Sequence, residues 1–123
     1  MQEVQQVQEG KTPLIKRISR LTRRPDISHD ASGRHSLAGH CPLARVVPGI
    51  RRYVQSHIQG ESVRADIPAP DMEIDGIAEL WYDDIEAMER SSATPEAQAL
   101  YADGALIIGQ IKSFVIEEKI IIE

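Results

Sequence analysis

The feature that most restricts this chain is its alternation of β-prone runs with helix starts, each bounded by proline, glycine or a side chain suited to N-capping. The run LIKRISRL over residues 14–21 puts Ile15, Arg17, Ser19 and Leu21 on one side of an extended chain. Leu14, Lys16, Ile18 and Arg20 fall on the other. Pro25 stops that strand, and Ser28 is placed to cap a helix running toward His40, with Asp30 in its first turn. Pro42 is expected to prevent the helix from continuing. After the turn signal Pro48-Gly49, the run IRRYVQSHI reads as a second strand with Tyr53, Gln55 and His57 on one face. Residues 59–72 contain Gly60, Pro68 and Pro70 and read as a long loop, the kind that rims a site. A third strand is expected over residues 74–82. Asp83-Asp84 then opens the helix IEAMER, and Thr94-Pro95 restarts a helical segment. The β-prone end KSFVIEEKIII, residues 112–122, brings Phe114, Ile116 and the isoleucines at 120–122 in search of burial.

Strand, helix, strand, strand, helix, strand is the order of the ferredoxin-like split βαβ unit, an α+β fold. Helices gathered on one face of such an antiparallel sheet leave the other face uncovered, and a second sheet packed there would hide both. Residues 1–12, rich in Gln and Glu and lacking an apolar stripe, read as a flexible extension before a single domain at residues 13–123.

At 123 residues one core is the expectation. The formal net charge of −5 argues against a nucleic-acid binder, because phosphate affinity needs clustered cations. Yet Lys16, Arg17, Arg20, Arg23 and Arg24 crowd one early segment. A solvated face with intersubunit pairing explains that crowding, and so does a pocket drawing in an anionic organic substrate. The single cysteine, Cys41, forms no intrachain disulfide. The start lacks a basic and then apolar leader, and no apolar run approaches the roughly 18 residues of a membrane span, so a cytoplasmic protein is expected.

The runs IKRISRLTRRPDIS, RHSLAGHCPLARVVPGIRRYVQSH, DGIAELWYDD and IKSFVIEE occur in an order that resembles the EthD-domain family, over nearly all of residues 14–118. The H-x-P-L segment at His40 to Leu43, the run PGIRRY and the run DGIAELW carry the likeness together. The resemblance implies a ferredoxin-like protomer with a four-stranded antiparallel sheet that dimerises through its sheet face into an α/β barrel. It also implies a pocket between sheet and helices. Members include proteins linked to ether degradation and an isomerase that rearranges a methylmuconolactone of aromatic catabolism without metal or flavin. The resemblance places functional residues of that isomerase at positions matching His40 and Tyr53. A further functional histidine of the isomerase falls in the loop after the second strand, where residues 59–72 here contain none. The family's bulky aromatics in the first helix correspond to Ser32 and Ser36, which would leave room for a larger ligand unless the helix has shifted.

Read for chemistry, His40 at a helix end would have its pKa raised by the dipole and would suit a general acid or base near neutral pH; the same position suits a plain cap. Tyr53 offers a phenol to a developing enolate or lactone oxygen, or else a satisfied core hydroxyl. Gln55, His57, Ser36 and Trp81 are placed as substrate contacts, His57 about 13 Å along the strand from Tyr53. Trp81 suits packing of the sheet against a helix equally well. His35 and His40 diverge by about 140° on an α-helix, so a histidine metal site is not expected, nor is any cofactor. Cys41 reads as a small buried filler. The chain is therefore expected to be a cofactor-independent acid/base enzyme, isomerase or lyase in type, acting on a small hydrophobic or anionic lactone, enol or polyketide-like compound. A non-catalytic carrier using the same pocket and a cofactor-free oxygenase of the same barrel are the rivals.

Overall fold

The computed structural model describes residues 14–123, and the expected extension at residues 1–12 lies outside them. Strands β1 (Ile15–Arg23), β2 (Arg52–His57), β3 (Gly76–Tyr82) and β4 (Ile108–Ile116) form one antiparallel sheet in the order β2-β3-β1-β4. Between β1 and β2 run α1 (His29–His35), a π-helical turn (Ser36–His40) and α2 (Cys41–Arg45). Between β3 and β4 run α3 (Ile85–Ser92) and α4 (Pro95–Gly104). This is the ferredoxin-like α+β architecture.

The expected caps are in place. The Ser28 hydroxyl accepts from the Ala31 amide, the Asp84 carboxylate from Ala87, and the Thr94 hydroxyl from Ala97. Gly49 sits at φ 92°, a left-handed conformation that glycine adopts without strain and that turns the chain into β2. The tightest part of the core joins Ala44 and Val47 to Ala97 and Leu100, with Leu43, Ile50 and Tyr53 packed against them. Burial there holds the first helical segment and α4 over the sheet.

The first helix differs from expectation in an instructive way. It does not stop at His40. The Cys41 amide donates to the Ser36 carbonyl five residues back, which widens one turn. The following segment then begins with Pro42 in its first turn, where a missing N–H costs nothing. His40 therefore lies within a continuous helical path and not at the helix end expected of it.

The final strand also differs. It starts at Ile108, and its register pairs Lys16 with Ile116, so residues beyond 118 have run past the start of β1 and meet no partner strand among the described residues. Ile120, Ile121 and Ile122 are consequently exposed, at 58%, 87% and 91%. The third strand begins at Gly76 rather than Ile74, two residues later than expected.

Candidate functional site

Three rungs of the sheet form the floor of a cavity of about 720 Å³ beneath the helices. Strand pairing aligns Tyr53, Leu80 and Arg17 on one rung, Gln55, Ala78 and Ser19 on the next, and His57, Gly76 and Leu21 on the third. Small side chains make the space: Gly76, Ala78, Ser19 and Ser113 below, Ser32, Gly33 and Ser36 above. The two helix serines read from the sequence as openings in the packing both face it. The volume suits a small organic molecule.

Of the residues singled out in the sequence, His40, Tyr53, Gln55, His57 and Ser36 all line this cavity. Trp81 does not. Strand pairing sets it opposite Lys16 and Arg52, on the sheet face away from the helices, with Lys16 Nζ 5.0 Å and Arg52 Cζ 4.7 Å from its ring centre. Its indole N–H donates to Glu118 at 2.9 Å. The expectation that Trp81 shares the ligand's enclosure is therefore corrected by strand parity: Leu80 and Tyr82 take the helix side. The long loop is corrected too, since none of residues 59–72 lines the cavity; Met72 instead meets Arg20 of the opposite face.

His40 Nδ1 lies 3.0 Å from Asp103 Oδ2, and His35 Nε2 lies 3.0 Å from Asp103 Oδ1. A carboxylate only accepts, so both imidazoles donate, and His40 keeps its Nε2 lone pair as the basic nitrogen. Burial works against the Asp103 carboxylate. The hydrogen bonds from His40 and His35 outweigh it and hold the pKa below the usual carboxylate value. The divergence of about 140° expected of two residues five apart on an α-helix is not what forms, because they are separated by the wider π-helical turn. His35 and Asp103 are thus functional candidates that the sequence reading passed over. The only available signal was the proline at position 42, which hints at an irregular turn.

A second network orders the floor. Gln55 Nε2 donates to the Ser36 carbonyl and to the Tyr53 hydroxyl, each at 2.9 Å, and makes a longer contact of 3.4 Å to Cys41 Sγ. Anchoring the amide nitrogen on a backbone carbonyl leaves Oε1 to accept from His57 Nε2 at 2.9 Å. That assigns the Nε2–H tautomer to His57. Tyr53 receives its bond as an acceptor and retains its own O–H to give. Burial pushes the Tyr53 phenol up, against the opposing bond from Gln55, so it stays protonated. His57 is held close under the first helix: a Cβ at Gly33 would stand 3.3 Å from its Nδ1.

At the far end His29 Nδ1 and Arg23 both bond Asp75 Oδ1 at 2.7 Å, and the Arg23 amide donates to Oδ2. The Asp75 bond raises the His29 pKa above its ordinary value. Glu79 pairs with Lys16 on the opposite face at 2.7 Å.

Comparison with known proteins fits this fold. A curated relative from Pseudomonas reinekei, 4-carboxymethyl-4-methylbutenolide mutase, is 27% identical over 103 residues, covering 83% of this chain and 96% of the relative. The crystal structure of an EthD family protein from Bacillus halodurans superposes with a TM-score of 0.69 at 25% identity, over 86% of this chain and 99% of that one. A dimeric ferredoxin-like protein of unknown function from Thermobifida fusca gives a TM-score of 0.66 at 12% identity over 88% and 94% of the two chains. The family model described as the EthD domain matches residues 24–109, a span that holds His40, Tyr53 and Asp103, and the chain belongs to the EthD family.

Proposed function

We propose that the protein is a cofactor-independent enzyme of the isomerase type that moves a proton on a lactone or enolisable carbonyl compound bound in the cavity. The observation that carries this reading is the 3.0 Å bond from His40 Nδ1 to Asp103, in a wall shared with the protonated Tyr53 phenol. His40 Nε2 takes a proton from the carbon next to the carbonyl, the electron pair of that C–H bond becomes the C=C bond of the enolate, and the carbonyl π pair moves onto oxygen. The Tyr53 O–H stabilises the resulting enolate oxygen. The imidazolium, steadied by Asp103, then returns the proton to a different carbon. Gln55, His57 and Ser36 shape the floor and roof around the substrate.

The relative from Pseudomonas reinekei is named for a reaction on 4-carboxymethyl-4-methylbutenolide, which supports a lactone as the substrate type. A second copy against the helix-free sheet face completes the assembly in this reading. The partly exposed Phe114 on that face supports it, as does the described dimeric state of the Thermobifida fusca protein.

The test is to incubate the protein with 4-carboxymethyl-4-methylbutenolide without added cofactor and to follow the compound by proton NMR. Conversion to an isomer supports the proposal. Return of the bound compound unaltered favours the carrier reading.

A further inference from the structure

Arg17 sits in the cavity floor with no carboxylate partner among the described residues, which sets it apart from the other lining arginine. Arg23 is matched by Asp75 and Glu73. Arg17 instead donates to three neutral hydroxyls: Ser92 at 3.2 Å, Tyr82 at 2.9 Å and Tyr101 at 3.0 Å. A guanidinium carries five N–H donors, so this arrangement leaves two unassigned among the described residues. The rings of Tyr82 and Tyr101 flank it at 5.5 Å and 5.9 Å. The group is half-buried, and holding a cation there on neutral partners alone costs solvation that a bound anion would return.

The charge of the lining points the same way. The chain carries −5 overall, yet among the described residues the lining includes two arginines, Arg17 and Arg23, against one carboxylate, Asp75. The excess positive charge is Arg17. Its position relative to the proton-transfer groups is fixed by pairing: Arg17 and Tyr53 stand on either side of Leu80 on one rung, two strand spacings or roughly 10 Å apart. A small ring with a short acidic arm spans that distance.

We infer that Arg17, with the hydroxyls of Tyr82 and Tyr101 behind it, is an anchor for a carboxylate on the substrate, so that the enzyme takes an organic acid with its reacting carbonyl toward Tyr53. The inference rests on the proposed use of the cavity but is separable from the proton transfer. The guanidinium binds and orients one end, whereas His40 reacts at the other. An oriented guanidinium recognises a carboxylate through charge-assisted bonds that a neutral amide does not reproduce.

The experiment titrates phenylacetate and the near-isosteric phenylacetamide into the full-length protein by calorimetry at pH 7 and low salt. Phenylacetate is expected to bind about tenfold more tightly or better, and Arg17→Met is expected to erase that preference by weakening phenylacetate alone. Should Arg17→Met fail to fold, Arg17→Gln, which stays polar but lacks the charge, answers the same question. His40→Ala should retain the preference, which separates this anchor from the proton-transfer reading. Failure of phenylacetate to bind, equal affinity for the two compounds, or a preference that survives loss of Arg17 overturns the inference.

Discussion

His40 and Asp103 lie 63 positions apart in the chain and are joined by a 3.0 Å hydrogen bond between the π-helical turn and the end of α4. The bond fixes which imidazole nitrogen carries a proton. It also ties the orientation of the proposed base to a helix that the core already holds in place.

Asp103→Asn tests that dependence. The amide can donate as well as accept, so it no longer dictates the His40 tautomer, and turnover is expected to fall on the order of a hundredfold while the fold persists. KM should change little, because Asp103 is not among the residues lining the cavity. A pH–rate profile for the variant should show its acidic limb, which protonation of the base sets, displaced. A purely structural role would leave that profile in place.

Gln55 is the hub of the floor network. Gln55→Leu removes the donor to Tyr53 and Ser36 and the acceptor for His57 in one change. Stability is expected to drop by about 1–3 kcal/mol, the usual cost of leaving buried polar groups unpartnered, read from the midpoint of urea unfolding. Tyr53→Phe should cost less, since the Gln55 amide keeps the Ser36 carbonyl.

The sequence made much of this arrangement legible. Strand alternation alone placed Tyr53, Gln55 and His57 on one face, because the two-residue period requires no knowledge of the rest of the fold. Which face of β3 meets the helices is a different matter: parity within DGIAELWY separates Trp81 from Leu80 but does not say which set points inward. The His35–Asp103–His40 group was hidden for another reason. Five-residue spacing diverges on an α-helix, and only a wider turn, set by tertiary context around Pro42, brings both rings to one carboxylate. Arg17 read simply as one cation in a crowded basic segment, since the partners of its neighbours could not be assigned before the strands were paired.

His29 and Asp75 make a pH-dependent pair. The Asp75 bond raises the His29 pKa, so its contribution to stability is complete below the unfolded value of about 6.5 and disappears as pH rises through the higher folded value. NMR titration should find His29 above the ordinary histidine pKa in the native protein and returned toward it in Asp75→Asn. An unshifted His29 in the native protein would remove the pair from the account.

The central claim, that His40 moves a carbon-bound proton inside the cavity, is tested most directly by deuterium exchange. A lactone substrate is incubated in D₂O with the native protein and with His40→Ala, and loss of the signal from the proton next to the carbonyl is followed by NMR. The native protein should catalyse exchange, and His40→Ala should slow it about a hundredfold or more with its circular dichroism spectrum unchanged. Exchange at the native rate in His40→Ala would contradict the assignment.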